Sequence, residues 1–399
     1  MKKTLHARVG IVGAGPAGLL LSRLLHLDGI DSAIIETRTR ERIEKRIRAG
    51  QMEPNTARIF IEAGVGARMQ AEGLVHHGVI FHYEGMTRRL DLKGTTGRSI
   101  MMYGQREIVK DLMDARLAAG GTIFFGVSAV AVHDLESKNP SVTFSHEGEE
   151  HLLTCDFIAG CDGYHGVCRP SMAHISSVFE QKHPFCWLGI LAEAPPFAEE
   201  VTYACHERGL ALFSMRSRAL SRNYVQCGPQ DDLAQWPDHR IWDELGQRLS
   251  GHVKTLQPGP IIERSIVPLR SFVVAPMQYG RLFLAGDAAH IVPPSAAKGL
   301  NLAVADVCLL ARAFERYYRG NDGLLRDYSS RALANVWEGQ RFSYFMTKLL
   351  HCNESHSRME RRLQVAELDN IFQTGHAGKS FAESYVGPED TWSGKLAGG

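Results

Sequence analysis

The 399-residue chain lacks any imbalance of charge: 45 lysines and arginines face 44 aspartates and glutamates. A chain so balanced has no field of one sign for holding nucleic acid or an anionic membrane, and neither partner is expected. Long hydrophobic runs are missing too. The stretch Ile11–Leu25 is interrupted by Gly, Pro and Arg, which argues against a bilayer-spanning helix. The Met1-Lys2-Lys3 start runs straight into an apolar strand and does not read as a secretory signal. None of the eight cysteines forms a C-x-x-C pair, so no metal site is expected. They read as free, mostly buried thiols in a reducing compartment, which points to the cytoplasm. At 44% hydrophobic residues, the chain can bury one large core or two smaller ones.

What is present begins with a β-α-β unit. Val9–Val12 is a short apolar run, Pro16–Leu27 has leucines at helical spacing, and Ser32–Glu36 is a second apolar run. A basic stretch from Arg38 to Arg48 precedes a helical segment over Asn55–Ala67. Residues 74–97 read as an inserted hairpin, Gln105–Ala119 as a helix, and Phe124–Val132 and Ser141–Phe144 as strands. From 181 to 268 the pattern changes to short alternating strands: Trp187–Ala192, Val201–Cys205, Ala211–Arg216 and Asn223–Gln226. A helix follows over Arg240–Leu249. A buried strand, Arg281–Ala285, and a long amphipathic helix, Leu300–Tyr317, come next. The expected organisation is α/β, with a Rossmann-like nucleotide-binding domain over 1–180 that resumes over 269–330. An antiparallel β-sheet domain is inserted over 181–268, and a helical C-terminal region covers 331–399.

Three motifs carry the chemistry. Gly13, Gly15 and Gly18 form G-x-G-x-x-G between a strand and a helix, where the backbone must turn tightly and approach a pyrophosphate at the helix N-terminus. Glu36 ends the next strand, where a carboxylate can take a ribose hydroxyl pair. The second motif, Cys161-Asp162-Gly163, follows the apolar Phe157–Ala159; taken alone it is also an ordinary turn. The third, Leu284-Ala285-Gly286-Asp287-Ala288-Ala289-His290, leads through Val292-Pro293-Pro294-Ser295 to Lys298, Gly299, Leu300 and Asn301 at a helix start. In the inserted domain, Ser214 and Arg216 share one face of a strand, and Arg222 and Tyr224 share one face of the next. An arginine beside serine and tyrosine hydroxyls suits capture of a carboxylate. A solvated basic strand explains Arg216-Ser217-Arg218 about equally well.

In this order and at these separations, the motifs resemble those of the class A FAD-dependent aromatic hydroxylases. The segments Arg46–Gly50, Tyr103-Gly104-Gln105, Pro268–Val274, Ala285–Pro294 and Tyr385-Val386-Gly387 are similar to the 4-hydroxybenzoate 3-monooxygenase family over Val9 to Gly387. The resemblance implies FAD as cofactor, NAD(P)H as transient co-substrate, O2 and a small aromatic acid as reactants, and a homodimer. Glu36, Arg48, Gln105, Asp162 and Asp287 would hold FAD with the three glycines. The N–H groups of Gly299 and Leu300 would face the flavin, and Arg222, Lys298 and Asn301 would set its position and local potential. Ser214, Arg216 and Tyr224 would bind the substrate carboxylate. Tyr203 and the Pro294 carbonyl would meet the phenol, and Tyr385 with His76 would pass its proton to solvent. Arg48, His165 and Arg270 would meet NAD(P)H. No second glycine loop is present, so the nicotinamide is expected to visit a surface groove.

Each of these residues also has a plainer reading. His76 beside His77 could be a solvated loop histidine, Tyr203 and Tyr224 ordinary sheet residues, and Arg222 and Lys298 ordinary surface charges. Gln51-Met52-Glu53-Pro54 and Ser295, where threonine is expected, depart from the family pattern. The arginines of 37–42 suit a 2′-phosphate or simply solvent, which leaves NADPH and NADH both open. An amino- or dihydroxybenzoate substrate is the alternative within the class, and a flavin-binding sensor the alternative outside it.

Overall fold

The computed structural model describes residues 3–45, 50–249, 256–352 and 357–388. Strand Val9–Val12 is buried at every position, and Ser32–Glu36 likewise, as strands covered on both faces must be. They are interior strands of a six-stranded sheet with Phe157–Gly160, Leu282–Leu284 and Thr122–Phe125, all parallel, Thr122–Phe125 forming one edge and antiparallel Gln278–Tyr279 the other. Helix Pro16–Leu27 buries Leu19, Leu20, Leu21, Leu24 and Leu25, so nearly its whole circumference is core. Helices Gln105–Ala118 and Lys298–Tyr318 flank it.

An eight-stranded sheet carries the second layer. Its order runs His290–Ile291, Ile261–Ala275, Ser177–Ala192, Leu220–Cys227, Gly209–Ser217, Thr202–His206, Gly78–Tyr83, Met86–Asp91. The pairings are antiparallel except one: Thr202–His206 runs parallel to Gly78–Tyr83. The 78–91 hairpin therefore extends this sheet next to the strand that bears Tyr203. Helix Asp238–Arg248 covers one face. The other face meets helices Tyr328–Leu350, Arg358–Gln373 and Gly375–Val386, whose apolar residues share a core with Phe81, Trp187, Tyr203 and Leu212.

The structure corrects several expected elements. The helix expected over Asn55–Ala67 is two, Pro54–Glu62 and Ala67–Glu72, separated where Gly64 adopts φ 73°. The strand expected over Phe124–Val132 breaks at Gly126 into Thr122–Phe125 and Ser128–His133. Two long strands exceed the sequence reading. Ser177–Ala192 begins ten residues before Trp187, and Ile261–Ala275 pairs along it.

Candidate active site

Sheet register assembles the site. Phe81 opposes Tyr203, Tyr203 opposes Leu212, Leu212 opposes Tyr224, and Tyr224 opposes Gly189, so these residues form one row across five strands. Ser214, Arg222 and Leu191 form the next row, two residues along each strand and hence on the same face. Gly189 matters to this face. A Cβ there would come within 2.9 Å of the Arg222 guanidinium and 3.2 Å of the Tyr224 ring, so the missing side chain makes room for both. Nothing in the sequence pattern distinguished Gly189 from any other strand glycine.

Arg216 is half-buried and, among the described residues, donates only to the Met215 carbonyl, at 3.2 Å. Among the described residues no carboxylate lies within ion-pair distance of it, and burial holds its pKa below the ordinary arginine value. A desolvated cation without a protein partner calls for an anion from outside. Arg222 differs. It donates to Glu263 at 3.2 Å and to the Tyr224 hydroxyl at 3.4 Å, with its guanidinium 5.3 Å from the Tyr224 ring. Ser214 donates to the Arg222 carbonyl at 2.9 Å.

At the other end of the row, the Tyr203 hydroxyl lies 2.9 Å from the Ser295 carbonyl and 3.1 Å from the Tyr385 hydroxyl. Both tyrosines are fully buried. Phe81 stacks on Tyr203 at 5.2 Å and Phe381 stacks on Tyr385 at 6.1 Å. Burial pushes the Tyr385 phenol up to about 12 and raises Tyr203 well above its ordinary value. The carbonyl beside Tyr203 is that of Ser295, whereas the Pro294 carbonyl accepts from Ala297 N–H at 3.0 Å. His76 does not join the pair. Its Nδ1 accepts from Val201 N–H at 3.3 Å, its buried Nε2 has no hydrogen-bond partner among the described residues, and burial brings its pKa down to about 4. Tyr385 instead reaches Gln51 Oε1, at 3.3 Å.

The glycine loop passes a geometric test for a dinucleotide. A Cβ on Gly18 would lie 2.0 Å from the Gly13 carbonyl, and one on Gly13 2.3 Å from the Cys161 carbonyl, so both glycines serve close backbone packing. Gly15 faces no atom within 4 Å and leaves its approach open to a phosphate. The Glu36 carboxylate accepts from Ala14 N–H at 2.7 Å and Arg38 N–H at 2.8 Å, which fixes it at the loop. Asp162 turns back to accept from Cys168 N–H at 2.9 Å, bringing the second motif beside Gly13. In the third motif, buried Asp306 accepts from Gly286 N–H at 2.9 Å and contacts His290 at 2.6 Å, bracing the turn that carries Asp287. Ala297, in the left-handed region at φ 52°, starts helix Lys298–Tyr318 without a side-chain cap. Its first N–H groups, those of Lys298, Gly299 and Leu300, carry the positive end of the helix dipole. Lys298 is ion-paired with Glu53 and donates to the Tyr385 carbonyl at 3.3 Å, so its charge is matched within the protein. Asn301 joins Glu53 N–H at 3.0 Å to the helix start. Gln105 opens its own helix. His165 and Arg270 meet around Tyr164, at 5.0 and 4.6 Å from its ring. Arg48 lies outside the described residues.

A parallel sheet with a glycine loop that fits a dinucleotide, joined to a large mixed sheet bearing buried tyrosines and an arginine without an ion-pair partner among the described residues, is the layout of a nucleotide-cofactor enzyme. Comparison makes this specific. The family model described as "FAD binding domain" matches residues 6–343. The p-hydroxybenzoate hydroxylase of Acinetobacter baylyi is 45% identical over 389 residues, 96% of each chain. A probable NADH-specific resorcinol 4-hydroxylase of Rhodococcus jostii is 24% identical over 82% of this chain and 62% of its own. Among solved structures, p-nitrophenol 4-monooxygenase PnpA of Pseudomonas putida superposes with a TM-score of 0.83, at 16% identity, over 97% of this chain and 100% of its own. The chain therefore belongs to the FAD-dependent aromatic hydroxylase family that includes p-hydroxybenzoate hydroxylase.

Proposed function

We propose that this enzyme hydroxylates 4-hydroxybenzoate at its 3-position to give 3,4-dihydroxybenzoate, using NAD(P)H and O2. The observation that carries the substrate class is Arg216, a half-buried cation with no carboxylate in ion-pair distance among the described residues, whose charge acts on Tyr224 and Arg222 of the sheet face that also bears Tyr203 of the buried Tyr203–Tyr385 pair. The two ends suit a ring with a carboxylate at one side and a hydroxyl at the other. Arg216, Ser214 and Tyr224 would bind the carboxylate, and Tyr203 would hold the phenol oxygen against the Pro294–Ser295 turn. Attack on an aromatic ring by electrophilic oxygen needs an electron-rich ring. Donation from Tyr203 to the substrate oxygen favours the phenolate and so activates the position beside it.

FAD, when bound, supplies electron transfer from NAD(P)H and activates O2. The glycine loop, Glu36, Asp162, Asp287, Gln105 and Arg48 would hold it, with the 299–300 N–H groups, Arg222, Lys298 and Asn301 at its ring end. His165 and Arg270, joined by Tyr164, would meet the nicotinamide. The division into domains at 180 and 268, a homodimer and a cytoplasmic location accompany this reading. Among the described residues, no helix is long and apolar enough to cross a membrane.

Stimulation of NAD(P)H oxidation across a ligand series tests the substrate. 4-Hydroxybenzoate should stimulate strongly, while 4-hydroxybenzamide, which lacks the carboxylate charge, should not. Equal stimulation by the amide, or stronger stimulation by an amino- or dihydroxybenzoate, would replace this substrate with another.

A further inference from the structure

The phenol end contains a third polar group that neither tyrosine replaces. Tyr203 lies within hydrogen-bond distance of the Ser295 carbonyl and of Tyr385, and Tyr385 lies 3.3 Å from Gln51 Oε1. Each hydroxyl carries one proton, and the Ser295 carbonyl can only accept. Suppose Tyr203 donates to Tyr385. The Tyr385 proton must then turn to Gln51, because no other acceptor is within reach among the described residues. The chain of bonds now runs away from the substrate and leaves the Tyr203 oxygen open to a phenol O–H. When the phenol ionises the polarity reverses: Tyr203 donates to the phenolate and Tyr385 donates to Tyr203. The Tyr385 oxygen is then left in need of a donor. Glutamine meets both needs, since a half-turn of its amide exchanges Oε1 for Nε2–H. An aliphatic side chain meets neither.

The backbone of this segment is fixed, and the hydrogen bond of the Gln51 amide is the one to Tyr385 among the described residues. Strand Gln51–Met52 pairs with Ile100–Met102, and the Gln51 carbonyl accepts from Asn301 Nδ2 at 3.5 Å. Two residues on, Glu53 N–H donates to Asn301 Oδ1 at 3.0 Å, and the Glu53 carboxylate pairs with Lys298. Lys298 in turn donates to the carbonyl of Tyr385 itself. The segment that carries Gln51 is thus tied to the same helix start and the same tyrosine that its side chain addresses.

We propose that Gln51 is a positioning residue for the reaction, a reversible terminus that accepts from Tyr385 while the substrate is a phenol and donates to it once the substrate is a phenolate. The inference rests on the hydroxybenzoate reading above. The other charged or titratable groups facing this chain are the Lys298–Glu53 pair, on the helix start and the 51–53 segment, and the Cys205 thiol on Tyr203's own strand, which burial pushes up to about 12. None of them is hydrogen-bonded to the Gln51 side chain among the described residues.

The test is a pH titration of 4-hydroxybenzoate bound to the FAD-loaded enzyme, followed by phenolate difference absorbance, in wild type, Gln51→Met and Gln51→Leu. Methionine approximates glutamine in length but can neither donate nor accept strongly, and the leucine variant serves if the methionine variant does not fold. Both bonds are lost in either variant, but the one made in the phenolate state supports a charge and is the stronger, so the ionisation constant of the bound phenol should fall about three- to tenfold. A purely structural role would change substrate affinity or thermal stability and leave that constant where it is, and an unchanged constant overturns the proposal. A wild-type enzyme that binds no 4-hydroxybenzoate overturns the substrate reading and this inference with it.

Discussion

The cofactor end and the substrate end of the molecule are built in different ways. At the cofactor end, recognition is a property of backbone: Gly13, Gly15, Gly18 and Glu36 lie within 24 consecutive residues, and what matters there is which positions have no side chain. At the substrate end, side chains converge from the 78–91 hairpin, three central strands, the 294–301 turn and the last helix. Contiguous backbone sites tolerate changes around them but not within them. Assembled sites depend on long-range register, and each member can be removed singly with its own consequence.

Single substitutions separate the two. The largest effect is expected from Gly18→Ala, whose Cβ would lie 2.0 Å from the Gly13 carbonyl. It should cost about 3 kcal/mol of stability and abolish FAD retention, read from flavin absorbance and denaturant unfolding. Gly15→Ala sharpens the contrast: it meets no protein atom, so it should leave the stability of the FAD-free protein intact and weaken FAD binding alone. At the substrate end, Arg216→Ala should cost about 2–5 kcal/mol of substrate binding with FAD fully retained, and unchanged affinity in a titration would remove the carboxylate role. Tyr203→Phe should bind substrate and permit flavin reduction, yet lose several-fold in product formed per NAD(P)H.

A separate effect concerns pH. His76 has its pKa brought down to about 4 from an ordinary 6.5. Between those values the unfolded chain takes up a proton that the folded chain refuses. Its contribution is therefore complete above pH 6.5 and is lost as pH falls toward 4. Stability should drop by about 2 kcal/mol between pH 6.5 and 5 from this group, and His76→Gln should flatten that slope in urea titrations. An unchanged slope would mean that His76 is not held neutral by burial.

The same division governs what could be read from sequence. The glycine loop and Glu36 are legible because spacing along the chain decides their geometry. Strand parity likewise placed Arg222 with Tyr224 on a shared face, whereas the register shift between Met215 and Ser217 falls at Arg216, where parity no longer decides the face. Parity does not say which strands adjoin, however, and the row through Phe81 and Gly189 depends on a parallel pairing between residues more than a hundred positions apart. The long strand Ser177–Ala192 was half invisible because Ser177–Lys182 is exposed and shows no apolar alternation. At the phenol end, the turn geometry of 294–297 brings the Ser295 carbonyl to Tyr203, a contact that spacing along the chain does not indicate. Besides Tyr203, Tyr385 bonds to Gln51, 334 residues away, while His76 accepts from the Val201 N–H. That glutamine falls in a segment whose departure from the family pattern was visible but had no meaning until its neighbours were placed.

The most direct test quantifies 3,4-dihydroxybenzoate while NADH and NADPH oxidation is followed with 4-hydroxybenzoate as substrate. The site described here predicts about one product molecule per nicotinamide oxidised by the wild-type enzyme, as expected when water is excluded from the reacting centre. Nicotinamide oxidation that ignores 4-hydroxybenzoate, or that yields no dihydroxy product, would contradict it.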